Sequence, residues 1–183
     1  HLNTPMEADE IEAFGADVVV LATGSLPTGT GFQRALPARD TLPGIEKGNA
    51  WSVEEVMGRS ARPGKRVLLL DDGGHWRGTG TAWHMAEQGH EVTLVTAQPM
   101  VAWELVRTAT DLPMRKKLAA SGVRALTDSA VEEWHGDGAT ILNLVDGSTQ
   151  RLDFDALILS TPNASEATLQ HDLADSSLEV HAI

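Results

Sequence analysis

The sequence contains no cysteine among its 183 residues. Disulfide bonds, thiolate zinc sites, cysteine-ligated iron–sulfur clusters and redox-active CxxC pairs are therefore excluded within this chain. It also has no run of about 18 apolar residues and no basic-then-apolar leader, so we expect neither a membrane span nor a signal peptide. These features predict a cytoplasmic protein whose redox centre, if it has one, is a bound cofactor or lies outside this chain.

Basic residues are also few. The 14 Lys and Arg stand against 26 Asp and Glu, which gives a formal net charge of −12. Such a chain repels polyanions, so nucleic acid is not expected as a partner. The hydrophobic share of 42% is enough for one sizeable domain or two small ones.

Four apolar runs have the composition of strands that are buried on both faces of a parallel sheet. These runs are Asp17–Leu21, Lys65–Leu70, Glu91–Val95 and Phe154–Leu159. Predicted helices begin at an N-cap on Thr4, at a Ser52–Glu55 capping box, at Gly78 and near residue 105, the last one running to about residue 121. Alternating stretches at 130–134 and 140–145 then predict an antiparallel meander, and residues 27–48 a linker or surface loop. We therefore expect an α/β domain over about residues 64–161, with three parallel strands at its centre.

The motif that best indicates chemistry is a glycine-rich segment between a predicted strand and a predicted helix. It reads Asp71-Asp72-Gly73-Gly74-His75-Trp76-Arg77-Gly78. A dinucleotide fingerprint needs a first glycine for the tight turn, a second for the approach of pyrophosphate and a third for close helix–strand packing. Gly73 and Gly78 fill the outer positions, but His75 stands at the middle one. The candidate cofactor-binding residues here are Gly73, Gly74, His75, Trp76, Arg77 and Gly78.

Other residues around this segment oppose dinucleotide binding. Thr96 stands where an acid would accept the ribose hydroxyls, and Asp71 and Asp72 repel a phosphate. In a purely structural interpretation, the glycines only shape a turn and the two acids cap the helix or pair with Arg77. The segment also resembles the acidic glycine-rich turn that holds adenosylmethionine. NAD(P)H binding is therefore left open.

A second motif follows the first apolar strand. Ala22, Thr23, Gly24 and Ser25 form a polar turn that could reverse the chain beside a bound dinucleotide, with Gly24 allowing close approach. The segment Ser160-Thr161-Pro162-Asn163 is its degenerate partner after the last strand. The alternative is that both are ordinary buried strands followed by polar turns.

With these motifs and the segment Gly89-His90-Glu91-Val92-Thr93-Leu94-Val95, the chain resembles the C-terminal part of the trimethylamine dehydrogenase, histamine dehydrogenase and 2,4-dienoyl-CoA reductase family. These are NADH:flavin oxidoreductases with an Old Yellow Enzyme-like barrel. The resemblance covers essentially the whole chain and implies a Rossmann-like α/β fold. It assigns residues 1–50 and 159–183 to part of an FAD/ADP-binding-type domain. Residues 51–158 would be an inserted three-layer NAD(P)-binding domain of the glutathione-reductase type.

The resemblance also implies what the parent enzyme contains. FMN, a 4Fe-4S cluster and FAD or ADP belong to the parent, and none is expected in this chain. The implied partners are the remaining domains of the same enzyme and, in the amine dehydrogenase branch, an electron-transfer flavoprotein. His75 and Thr96 depart from the reductase branch, which takes hydride from NADPH, and favour the branch that oxidises an amine or N-methyl group.

No catalytic or metal-binding residue is predicted within the chain. His75, His84 and His90 are close in sequence but are not spaced to share a metal, and neither Ser25 nor Ser160 has a recognisable His and carboxylate partner. Three hypotheses remain open: a nucleotide-binding-like scaffold of a flavin-dependent amine dehydrogenase, an active NAD(P)H-binding domain, and a non-redox nucleotide-sensing or interaction module.

Overall fold

The computed structural model describes all 183 residues. Its strands are β1 (Val18–Leu21), β2 (Ser25–Pro27), β3 (Ala50–Ser52), β4 (Arg66–Asp71), β5 (Glu91–Val95), β6 (Arg124–Leu126), β7 (Ser129–Trp134), β8 (Gly138–Asn143), β9 (Thr149–Asp153), β10 (Ala156–Ser160), β11 (Asn163–Ser165) and β12 (Glu179–Ala182). Its α-helices are α1 (Ala8–Ala13), α2 (Val53–Met57), α3 (Trp76–Glu87), α4 (Asp111–Ala120) and α5 (Thr168–Asp172). Two 3-10 helices span Ile45–Lys47 and Trp103–Thr108. None of the helices is long and apolar enough to cross a membrane.

The chain divides into two compact units. The smaller comprises His1–Leu26 and Asn163–Ile183, and the larger comprises Pro27–Pro162. Residues 27–50 therefore fold with the larger unit. The assignment of residues 1–50 and 159–183 to one parent domain type, and of residues 51–158 to another, stays a prediction.

A five-stranded parallel sheet forms the centre of the larger unit. Its strand order is β3-β10-β4-β5-β6, so the three predicted strands β10, β4 and β5 lie side by side. Successive side chains of a strand point to opposite faces. In β4, Val67 and Leu69 pack with the helices, whereas Leu68 and Leu70 pack on the other side of the sheet. Both faces are buried, which explains why these strands are continuous apolar runs.

Different layers cover the two faces of this sheet. Helices α2, α3 and α4 cover one face, with Met85 and Met114 fully buried there. The antiparallel meander β7-β8-β9 covers the other face through Val131, Trp134 and Ile141. The result is a three-layer α/β unit of the Rossmann-like type, which confirms the predicted fold class and the predicted meander.

The segment 27–48 is a packed loop rather than a free linker. The side chain of Gln33 is buried and makes two hydrogen bonds to the backbone of Val131, with Nε2 donating to the carbonyl at 2.7 Å and Oε1 accepting from the amide at 2.9 Å. Leu42 is buried in the core beneath the meander. The loop therefore belongs to the larger unit through specific contacts.

The helix predictions were partly wrong at their ends. The Ser52–Glu55 capping box is present, and the helix that it opens, α2, ends at Met57, before Pro63. The first helix begins at Ala8, and Glu7 is its N-cap. Thr4 does not cap this helix, since its hydroxyl donates to the carbonyl of Leu2. The helix predicted over about 105–121 is two elements, the 3-10 helix Trp103–Thr108 and α4, and it breaks at Ala109, which is left-handed with φ 55°.

In the smaller unit, β1 pairs in parallel with β12 alone, and β2 pairs with β11. The expectation that β1 is buried on both faces is wrong. Val18 and Val20 are 49% and 60% exposed, and Leu21 is the buried residue of the strand. A strand with one neighbour in a two-stranded sheet lacks the layers that would cover it.

Candidate nucleotide-binding loop

The glycine-rich segment forms the connection between β4 and α3, as predicted. β4 ends at Asp71, and α3 begins at Trp76 after an N-cap at His75. The connection therefore lies at the carboxyl end of a central parallel strand, where nucleotides bind in folds of this class. The His75 side chain is exposed and makes no capping hydrogen bond.

Asp71 is the buried acid of this loop. Its exposure is 0%, and its Oδ1 accepts a hydrogen bond of 3.0 Å from the Gly74 amide. The Ser160 hydroxyl lies at a longer 3.5 Å from the same oxygen. Oδ2 has no hydrogen-bond partner.

The carboxyl of Asp71 is consequently a weaker acid than usual. Burial raises its pKa to about 6, against the opposing effect of the hydrogen bonds from Gly74 and Gly73. The nearby charge of Asp72 raises the pKa further, and the Ser160 hydroxyl lowers it. In mildly acidic solution, a large fraction of the molecules therefore carries a protonated, uncharged carboxyl at Asp71.

Gly78, in the first turn of α3, makes room for this carboxyl. A Cβ built on Gly78 would lie 2.6 Å from Asp71 Cγ and 2.8 Å from Ser160 Oγ. Real Cβ atoms do not approach other atoms so closely. Gly78 thus fulfils the packing role of the third fingerprint glycine, and the group packed against it is an acid.

Asp72 and Arg77 bind partners other than each other, which corrects the suggested ion pair. Asp72 accepts from the Arg34 backbone amide at 2.9 Å and from Arg34 Nε at 2.7 Å. Arg77 donates to both carboxylate oxygens of Glu54, at 2.8 and 2.9 Å, and to the carbonyl of Thr161 at 2.7 Å. Burial raises the pKa of Glu54, but the hydrogen bond and the charge of Arg77 outweigh it, so the pKa lies below its ordinary value.

The segment after β5 closes the other side of the loop. The Glu104 amide donates to the Gly74 carbonyl at 3.1 Å. A Cβ built on Gly74 would lie 3.5 Å from the Cβ of Trp103. That distance is an ordinary van der Waals contact, so glycine is favoured at this buried position by its left-handed backbone, with φ 63°, and not by lack of space. Local sequence patterns do not reveal contacts of this kind between distant segments, and the contacts of Arg34, Glu104 and Trp103 were not predicted.

Thr96 lies at the end of β5, where the ribose-binding acid was expected, but its groups serve the fold. It is 1% exposed. Its amide donates to the Leu126 carbonyl, its carbonyl accepts from the Ser129 amide, both at 3.0 Å, and its hydroxyl accepts from the Gln98 amide at 3.3 Å. The Gly74 amide of the loop therefore binds Asp71, and Thr96 presents no exposed acceptor at the end of β5.

The second predicted segment, Ala22–Ser25, lies in the smaller unit and is exposed. Gly24 is left-handed, with φ 77°, and its carbonyl accepts from the Glu166 amide at 2.9 Å. The Thr23 hydroxyl donates to the Glu166 carbonyl at 2.6 Å, and Asn163 Nδ2 donates to Ser25 Oγ at 3.3 Å. These contacts fix the turn against β11. A role for Ala22, Thr23, Gly24 and Ser25 in cofactor binding stays a prediction.

The three-layer fold and the position of the loop at the carboxyl end of β4 are typical of dinucleotide-binding proteins. The family model described as pyridine nucleotide-disulphide oxidoreductase matches residues 2–180, and the chain belongs to that family.

Individual relatives show which members of this family the chain resembles. Cinnamate reductase of Clostridium sporogenes is 37% identical over 97 residues, which are 53% of this chain and 12% of that protein. Dimethylamine dehydrogenase of Hyphomicrobium is 24% identical over 189 residues, covering 92% of this chain and 25% of that protein. The structure of 6-hydroxypseudooxynicotine amine oxidase from Pseudomonas geniculata matches all of this chain and 28% of its own, with a TM-score of 0.91 and 25% identity.

These similarities confirm the resemblance to the trimethylamine dehydrogenase, histamine dehydrogenase and 2,4-dienoyl-CoA reductase group. The matched regions cover 12% to 28% of the length of these relatives, so the chain spans less than a third of each of them.

Proposed function

We propose that this chain is the nucleotide-binding-like part of a flavin-dependent oxidoreductase that oxidises an amine or N-methyl substrate. In this proposal the chain is a scaffold or docking region, and FMN and a 4Fe-4S cluster belong to other parts of the parent enzyme. The similarity to dimethylamine dehydrogenase over 92% of the chain supports the substrate class. Cytoplasmic localisation and an electron-transfer flavoprotein as electron acceptor are further parts of the proposal.

The main observation behind the proposal is which groups the residues of the loop between β4 and α3 bind. In a working site the loop amides face the pyrophosphate and an acid at the end of the next strand holds the ribose. Here the amide of Gly74 donates to Asp71, and Thr96 is buried in the fold. Loss of one charge-assisted hydrogen bond forfeits roughly 1.5 to 3 kcal/mol, about ten- to a hundredfold in affinity.

The smaller unit supports a scaffold or docking role. Phe14, Val18 and Val20 are at least 49% exposed and line an apolar surface beside β1. Contiguous exposed apolar surface marks a site of contact with other protein parts. We propose that the remaining domains of the same enzyme cover it, as an incomplete FAD/ADP-binding-type domain would require.

Calorimetric titration of this chain with NADH, NADPH and ADP tests the proposed loss of nucleotide binding. We expect binding no tighter than millimolar for all three. Micromolar NADH or NADPH binding by the unmodified chain would favour the alternative, an active NAD(P)H-binding domain. Micromolar binding of ADP alone would favour the nucleotide-sensing module.

The reaction class is tested on the parent enzyme that carries this chain together with its flavin domain. The enzyme would be mixed anaerobically with a secondary amine or with NADH, and the flavin absorption would be followed. Bleaching by the amine and not by NADH is the expected result. The reverse result would contradict the proposed substrate class and favour the reductase branch.

A further inference from the structure

We propose that Asp71 is a built-in anion: its carboxyl occupies the loop amides that a nucleotide phosphate would otherwise use. The inference rests on the proposed function, in which the loop binds no dinucleotide, and deepens it by naming the residue that determines this specificity. The loop is filled by the protein's own side chain.

The first argument is the position of the acid. The preceding residues of β4, Val67–Leu70, are apolar and buried, and Asp71 continues the strand at 0% exposure. A buried carboxyl is costly unless it is hydrogen-bonded or paired with a cation. Its hydrogen bonds come from the Gly74 amide and, at longer distance, from the Ser160 hydroxyl. Backbone amides at a strand-to-helix turn are the donors that hold phosphate in nucleotide-binding folds.

The second argument is the space that the fold leaves for the carboxyl. Without a side chain at Gly78, the carboxyl lies directly against α3, and a Cβ at Gly78 would overlap Asp71 Oδ1. Oδ2 remains without a hydrogen-bond partner although it is buried. The contacts of the turn therefore leave one oxygen of this buried carboxyl unsatisfied, which is unfavourable for a group that serves the turn alone.

The third argument is that contacts on both sides hold the loop in this conformation. Asp72 is fixed by the backbone and side chain of Arg34, and the Gly74 carbonyl accepts from the Glu104 amide. The Gly74 amide is therefore directed towards Asp71, under the loop. A phosphate would have to break the bond between Gly74 and Asp71 and would meet the charge of Asp71 as well.

Pyrophosphate titration of the full 183-residue chain, followed by the amide resonances of Gly73 and Gly74, tests the proposal. Asp71→Ala is the test variant, and Asp71→Asn is the matched control, because it removes the same charge while its side-chain oxygen can still accept from the Gly74 amide. We expect pyrophosphate to shift both resonances in Asp71→Ala, with affinity at least about tenfold higher than in the unmodified chain and in Asp71→Asn. Equal responses of all three proteins would overturn the proposal.

A second measurement decides the matter even if Asp71→Ala does not fold. In the unmodified chain, the carboxyl carbon of Asp71 and the amide of Gly74 should titrate with one shared midpoint, since they are hydrogen-bonded. A Gly74 amide that does not follow Asp71 would overturn the inference. If NADH still failed to bind in that case, the proposed function would stand, whereas micromolar NADH binding that shifts Gly73 and Gly74 would refute both.

Discussion

The carboxyl of Asp71 lies directly against the backbone of Gly78, so close that a Cβ on Gly78 would stand 2.6 Å from Asp71 Cγ. A fingerprint glycine ordinarily allows a helix to approach a strand beneath a bound nucleotide. Here the same spacing places a carboxyl between the strand and the helix. The glycine at this position therefore makes room for a side chain of the protein itself.

Gly78→Ala should lower the free energy of unfolding by about 1–3 kcal/mol, because the added methyl group overlaps Asp71 and Ser160. Gly80→Ala is the matched control in the same helix, since nothing lies within 4 Å of its built Cβ. The control should gain roughly 0.5–1 kcal/mol from the lower flexibility of alanine. Urea unfolding of both variants is the measurement, and equal stabilities would contradict the close contact.

Stability should depend on the protonation of Asp71. Its folded pKa of about 6 is raised above the ordinary value of 3.8, so ionisation disfavours the folded state. Below pH 3.8 Asp71 is protonated in both states and does not change the free energy of unfolding. Between pH 3.8 and about 6 its ionisation lowers this free energy progressively, and above about 6 the loss is constant at about 3 kcal/mol. Asp71→Asn should remove this dependence, so its stability advantage over the unmodified chain grows between these pH values. If urea unfolding gave the same difference in the free energy of unfolding between the two proteins at every pH, the charge of Asp71 would not destabilise the folded state.

The parallel sheet was predictable because burial on two faces leaves a local signature. Val67–Leu70 and Glu91–Val95 are apolar runs whose register partners lie in the same sheet. The short strands β3 and β6 have three residues each, too few for a periodic pattern. The break between the 3-10 helix and α4 had a signal in Pro113, because proline is tolerated in the first turn of a helix and not in its interior.

The site was only half predictable, for a different reason. The glycine spacing and the departures at His75 and Thr96 are local, and they predicted the position of the loop; the weak nucleotide binding that they also suggest stays a prediction. The contacts that fill the loop join segments far apart in sequence, such as Arg34 with Asp72 and Gly74 with Glu104. Asp71 was visible as an acid at the end of an apolar strand, but its inward direction depends on the packed structure.

The loop of residues 27–48 should lose its anchor when Gln33 is truncated. Gln33→Ala would leave the buried amide and carbonyl of Val131 without their partners, at an expected cost of about 2–3 kcal/mol. Gln150→Ala is the control, because Gln150 is an exposed glutamine on β9 and should change stability by less than about 0.5 kcal/mol. Thermal unfolding and proteolysis within residues 27–48 are the measurements. Similar behaviour of the two variants would mean that the loop is held by other contacts.

Arg77 should matter more than its carboxylate partner, because it connects three elements. Its guanidinium binds Glu54 of α2 with two hydrogen bonds and the Thr161 carbonyl with a third. The ion pair is half-exposed, so a double-mutant cycle of Arg77→Ala and Glu54→Ala should give a coupling of about 0.5–1 kcal/mol. Arg77→Ala alone should cost more than Glu54→Ala, because only the former leaves the Thr161 carbonyl without its donor.

The pair Lys65 and Glu91 is the matched control for this cycle. Its 2.8 Å separation equals that of Arg77 and Glu54, but its side chains are 71% and 60% exposed. Solvent screening should reduce its coupling below that of the pair Arg77 and Glu54. If both cycles gave the same coupling and Arg77→Ala cost no more than Glu54→Ala, the Thr161 contact would add nothing, and Arg77 would be an ordinary surface charge. The expected difference instead makes Arg77 the residue that holds α2, α3 and the end of β10 together beside the loop.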